Sequence, residues 1–192
     1  FFRKELGQRA SRRLALEQAL KQAIDREELR VWYQPQVDLA GGRTVAVEAL
    51  VRWQHPEWGL VSPGEFIPVA EESGLVVPMG EWVLAEALRQ FARWREQGLA
   101  VERVAVNVAA PQLNRPGLAD RLAAELERTG LPAACGELEI TEEGFLADLQ
   151  PGQVLLGGFD YEHVGFRVHD CECGRARGDK CAQLDLALRH NT

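Results

Sequence analysis

The sequence predicts an α/β chain, built as a parallel sheet or (β/α) barrel and entered through a hairpin. Three observations carry this. Two aromatic, β-branched runs, Leu29 to Val37 and Val45 to Trp53, flank the turn signal Gly41-Gly42. Beyond them the apolar spacing alternates between helical and extended segments, in the order strand, helix, strand, helix, strand. The later strand candidates, Arg103 to Val108 and Glu137 to Thr141, are mostly aliphatic, as strands covered on both faces are.

The elements follow in order. Residues 1–28 are charged, with Leu16, Leu20 and Ile24 recurring every fourth position. That pattern predicts a solvated connecting helix outside the core. Ser62-Pro63-Gly64-Glu65 reads as a helix start, with a Ser cap, Pro at the first helical position and Glu three residues after the cap. This short helix runs to about Ser73 and ends at Gly74. A long helix over about 77–97 places Val83, Leu84, Ala87, Leu88, Phe91 and Trp94 on one face, and Gly98 closes it. Leu118, Leu122 and Leu126 mark a further helix that ends at Gly130. A fifth strand is open at 165–168.

The chain has 192 residues, of which 46% are hydrophobic, so a sizeable core is expected. A formal net charge of -7 argues against a general nucleic-acid or membrane-surface binder. It leaves room for a phosphate ligand, because metal ions and local arginines reverse the field in one cleft. No apolar run approaches the roughly 20 residues of a membrane helix. Without an initiator Met the chain reads as a piece of a larger protein. Its four cysteines do not form a secreted disulfide framework, so a reducing, cytoplasmic setting is expected.

Three polar residues interrupt the apolar strands: Glu48, Asn107 and Glu139. A carboxylate in a buried sheet is costly unless paired or bound to metal. Each alone could be a hydrogen-bonded core residue. Three on successive strands would converge on the rim of a (β/α) barrel, where such enzymes place their chemistry. All their ligand atoms are oxygens, which suits Mg²⁺ or Mn²⁺ and not zinc.

Five ordered motifs carry a family resemblance. They are Tyr33-Gln34-Pro35-Gln36-Val37-Asp38, Glu48-Ala49-Leu50-Val51-Arg52-Trp53, Pro63 to Glu71 (PGEFIPVAE), Val106-Asn107-Val108 with Gln112, and Glu139-Ile140-Thr141-Glu142. Over about residues 12–145 the chain resembles the EAL-domain cyclic di-GMP phosphodiesterases. The resemblance implies a barrel whose first strand is antiparallel to the rest, and hydrolysis of cyclic di-GMP to linear pGpG with two divalent metals. By motif position it implies Glu48, Asn107 and Glu139 as metal ligands, Gln34 as a ligand contact, Arg52 as a phosphate holder and Glu142 as a brace for the next loop. Arg52 as a surface ion pair, and Gln34 or Glu142 as loop hydrogen-bonders, are the structural alternatives. Arg12 to Glu17 (RRLALE) is similar to the helix joining a GGDEF domain to an EAL domain. An upstream GGDEF partner in a parent open to membrane anchoring, and pairing of EAL domains as a homodimer, are therefore expectations too. The implied division is a connecting helix over 1–28, the N-terminal part of an EAL domain over 29–145, and a divergent tail over 146–192.

The chain departs from the family in that tail. The expected Asp-Asp-Phe-Gly-Thr-Gly loop is absent, and Asp170 or Glu172 falls near its carboxylate position. A shifted reading frame, natural degeneration of the site, and a separate metal site of His169, Cys171, Cys173 and Cys181 are the open explanations. The family's later lysine, general-base glutamate and last strands would lie past Thr192, so no catalytic base is identified. The expectation is a barrel lacking its last strands and inactive alone. The alternative is a degenerate EAL module that binds cyclic di-GMP or a partner without catalysis.

Overall fold

The structure is a computed structural model that describes residues 2–113, 115–141 and 165–169. Its element order is α1 (Phe2–Ala23), β1 (Leu29–Val37), β2 (Thr44–His55), β3 (Gly59–Val61), α2 (Pro63–Ser73), α3 (Val76–Glu96), β4 (Arg103–Val108), α4 (Ala110–Leu113), α5 (Leu118–Thr129), β5 (Gly136–Thr141) and β6 (Gly165–His169). The strands form one open sheet in the order β1-β2-β4-β5-β6, with β3 paired to β2. β2, β4, β5 and β6 are mutually parallel and β1 is antiparallel to β2. This is the expected partial barrel with its antiparallel first strand. The tail strand at 165–168 is present, one residue longer.

The hairpin turn is held by Asp38. Its carboxylate accepts the backbone N–H groups of Ala40 and Gly41 at 3.1 and 3.0 Å. Its own N–H donates to the Arg43 carbonyl at 2.9 Å. Short polar side chains bind their own turn in this way and stabilise it.

One face of the sheet is apolar. Val47 and Ala49 of β2, Val104, Val106 and Val108 of β4, and Leu138 of β5 pack against Val83, Leu84, Ala87, Leu88 and Phe91 of α3 and Leu118, Leu122 and Leu126 of α5. Every helical position that the period predicted on α3 and α5 is in or against this cluster, Trp94 being partly buried. Gly74 ends α2 in the left-handed region at φ 75°, where a Cβ would be strained. Ser62 precedes α2 as predicted, but its hydroxyl makes no capping bond; the Ser62 carbonyl accepts the Glu65 N–H at 2.9 Å instead.

The first helix corrects the sequence reading. It is not a solvated connector outside the core. Leu16 and Leu20 are only 3% and 2% exposed, and Ala23 is fully buried. They pack with Leu29, Trp53, Val61, Phe66 and Val69 in a second core cluster, and Ile24 lies partly buried against it. Arg12 adds an ion pair to Glu65 at 3.2 Å and lies over the Trp58 ring at 4.3 Å, and Arg13 pairs with Glu72. At the helix exit, buried Glu28 accepts the Trp53 indole N–H at 3.0 Å, and its carbonyl accepts Gln54 N–H at 2.8 Å. The helix is thus tied to the strand that carries Glu48.

Tyr33 of β1 meets Trp94 of α3 edge-on, with ring centroids 4.6 Å apart. Its buried hydroxyl has no hydrogen-bond partner among the described residues. Burial, then the Glu86 carboxylate, push this phenol well above its ordinary value.

Three outcomes follow for stability. Leu20→Ala is expected to lower the unfolding free energy by about 2–5 kcal/mol in urea titration, the cost of a core cavity; a value near zero would restore the solvated connector. Tyr33→Phe removes a buried unpaired hydroxyl and is expected to raise stability by about 1 kcal/mol. The folded-state phenol lies above its unfolded value, so its protonated form favours the fold below about pH 10 and that contribution is lost as pH rises further. Denaturation curves of the wild type should weaken above about pH 10 more than those of Tyr33→Phe.

Candidate functional site

The opposite face of the sheet is polar, and it gathers the residues singled out in the sequence. Glu48 of β2 stands in register with Gln34 of β1 and Ala105 of β4, and Asn107 of β4 stands in register with Glu139 of β5. Alternation along each strand sends these side chains away from the helices, because their neighbours Val47, Ala49, Val106, Val108 and Leu138 face the core. The Asn107 amide Nδ2 donates to Glu48 Oε1 at 2.7 Å. Glu139 is 1% exposed, and its Oε1 accepts the Gln36 amide Nε2 at 3.3 Å. That bond crosses from the first strand to β5.

Gln34 is exposed on the same face, opposite Glu48. Arg52 forms no ion pair with the other described residues. Its guanidinium lies 5.2 Å from the centre of the Trp32 ring and its Nη1 donates to the Val51 carbonyl at 2.8 Å. Lower on the same face Arg103 Nε pairs with Glu137 at 2.7 Å, a structural pair below the proposed ligands.

Gln112, from the fourth motif, acts as a prop. It is buried, and its Oε1 accepts the Ala109 N–H at 3.0 Å, fixing the chain where it leaves β4 just past Asn107. A Cβ on Gly80 of α3 would come within 2.2 Å of the Gln112 amide nitrogen, so a larger residue there requires the Gln112 side chain to move. A cleft of about 230 Å³ between α3 and α5 includes Leu84, Leu118 and the ion pair Glu81–Arg121 at 3.0 Å in its wall. Asn107 also lines it, but Glu48 and Glu139 do not.

Among the described residues no three His, Cys, Asp or Glu side chains come together as a metal-holding group. What is assembled is two carboxylates and one amide, an oxygen donor set whose chemistry fits Mg²⁺ or Mn²⁺. Glu142, Asp170, Glu172, Cys171, Cys173 and Cys181 lie outside the described residues, and of His169 only the backbone of β6 is described. Two residues at the site had gone unmarked. Gln36 was legible only as the same-face neighbour of Gln34, and Trp32 as the same-face neighbour two positions the other way.

The sequence pattern of the EAL domain family matches residues 17–182. The chain belongs to the EAL-domain family. The match continues past residue 145, where the recognised motifs stop. The chain is similar to the bifunctional diguanylate cyclase/cyclic di-GMP phosphodiesterase MucR of Pseudomonas aeruginosa, with 39% identity over 174 residues, 91% of this chain and 25% of that protein. It is 40% identical to the cyclic di-GMP phosphodiesterase PdeR of Escherichia coli over 168 residues, 88% of this chain and 25% of that protein. The chain therefore spans about a quarter of the length of these relatives. Among solved structures it is similar to the PaMucR phosphodiesterase in complex with c-di-GMP, with TM-score 0.75 and 39% identity, covering 85% of this chain and 66% of that one. It is also similar to the FimX EAL domain, with TM-score 0.69 and 26% identity, covering 80% and 61%. No described helix is long and apolar enough to cross a membrane.

Gly80→Ala reports on the prop. An alanine in a helix interior ordinarily stabilises by up to about 1 kcal/mol over glycine. Here it should destabilise by about 1–3 kcal/mol, because Gln112 is pushed off the Ala109 N–H. Chemical unfolding gives the sign directly.

Proposed function

We propose that this EAL domain takes cyclic di-GMP on the polar face of its sheet, with Glu48, Asn107 and Glu139 as ligands for Mg²⁺ or Mn²⁺. The observation that carries the reading is the convergence of these three oxygen donors from β2, β4 and β5 on one face, with Asn107 bonded to Glu48 at 2.7 Å. A similar fold solved with c-di-GMP supports the same ligand. A divalent metal at such a site activates water and stabilises the leaving oxygen of a phosphodiester. The chain's own residues bind and orient. Gln34 faces the ligand beside Glu48, Gln36 holds the Glu139 carboxylate, and Arg52 presents a fork of N–H donors to phosphate.

The family reaction is hydrolysis of cyclic di-GMP to pGpG. The sequence holds no Asp-Asp-Phe-Gly-Thr-Gly loop. On that ground the sequence as it stands is proposed to bind without turnover, with Asp170 as the nearest substitute carboxylate and residues 146–192 as a divergent tail. The second reading, an active hydrolase, is favoured by relatives at about 40% identity that are named phosphodiesterases. The cyclase half of the MucR name supports a GGDEF module upstream of residues 1–28 in the longer protein, and EAL pairing as a homodimer belongs to the same proposal.

The test is calorimetric titration with cyclic di-GMP in Mg²⁺ or Mn²⁺, followed by chromatography of the nucleotide. Saturable binding that falls at least tenfold in Glu48→Ala, with no linear product, is the expected result. Linear product that vanishes in Glu48→Ala would establish the hydrolase reading for this chain. Absence of binding would overturn the site.

A further inference from the structure

Trp32 has no role in the site as described so far. It lies between Val31 and Tyr33, which pack against the helix-side core, so its indole belongs to the same face as Gln34 and Glu48. It is 54% exposed there and pairs in register with Leu50. Its ring sits 5.2 Å from the Arg52 guanidinium, and Arg52 is further fixed by the Val51 carbonyl.

We propose that Trp32 and Arg52 form a base-recognition platform, in which the indole stacks on one guanine of cyclic di-GMP while Arg52 meets the adjoining phosphate. This rests on the ligand proposed above. The spacing supports it. Trp32 is two residues along β1 from Gln34, the partner of Glu48, so the ring stands about 7 Å further toward the C-terminal rim. A nucleotide's base and phosphate span a similar distance. Exposed aromatic rings beside arginines bind bases through their π faces, and the π face of guanine suits a large indole. An isolated cross-strand Trp–Arg pair would make the same contact without any ligand. The two differ in what happens on binding.

Calorimetry and intrinsic fluorescence of the full chain with cyclic di-GMP and Mg²⁺ separate them, using Trp32→Phe and Trp32→Leu. Phe keeps a ring and Leu keeps apolar bulk alone. Trp32→Phe is expected to bind within about threefold of wild type, and Trp32→Leu about tenfold or more weaker, the usual scale of one lost stack. Ligand should quench wild-type tryptophan emission, and Trp32→Phe should bind with most of that quenching gone. This second readout does not depend on how well the Leu variant folds. Wild-type binding with an unchanged Leu variant, or with quenching intact in the Phe variant, overturns the platform and leaves the ligand proposal standing. Failure of the wild type to bind overturns both.

Discussion

The fold and the site depend on the same constraint, the two-residue period of β2, β4 and β5. Val47, Ala49 and Trp53 point to the helices while Glu48 and Arg52 point away, and Val104, Val106 and Val108 flank Ala105 and Asn107 in the same manner. A slip of one residue in any of these strands would drive its polar set into the helix-packed core. For β2 and β5 that means a carboxylate among Leu84, Leu88 and Leu122, which costs several kcal/mol without a partner. Hydrophobic packing on one face therefore fixes the geometry of oxygen donors on the other. The register that buries Val106 and Leu138 is the register that sets Asn107 beside Glu139.

The second core extends this argument to the first helix. Fully burying a leucine contributes about 1.5–3 kcal/mol, so Leu16 and Leu20 together outweigh any exposed ion pair on the same helix. Their packing surface is Trp53, Phe66 and Val69, and the Trp53 indole is bonded to Glu28 just past the helix end. Trp53 lies five residues from Glu48 on one strand. The helix that looked like a tether is a structural part of the domain, attached to the strand with the most functional residues.

Much of this was legible in the sequence, and the omissions share a cause. Long periodic segments, such as α3 with Val83 through Phe91 or α5 with Leu118 through Leu126, declare themselves locally. So did Glu48, Asn107 and Glu139, as polar breaks in apolar strands. The burial of α1 was not legible, because three apolar positions on a charged background are equally consistent with a solvated stripe. Its partners, Trp53 and Phe66, are distant in the sequence. β3 is three residues long, too short to show alternation. Gln36 escaped because its partner, Glu139, lies across the sheet from it, and no local pattern records such a pairing.

The antiparallel entry of β1 decides which of its residues reach the rim. Were β1 parallel to β2, its end at Val37 would lie toward the C-terminal ends of the other strands, and its start would lie at the base. Running the other way, β1 pairs Trp32 with Leu50 and Arg30 with Arg52 near that rim, and Gln36 with Ala46 two steps below Glu48. One nine-residue strand thus supplies an aromatic ring at the mouth, an amide beside Glu48, and a second amide that reaches Glu139 from beneath. The hairpin that opens the sheet is what allows a single strand to serve both levels of the site.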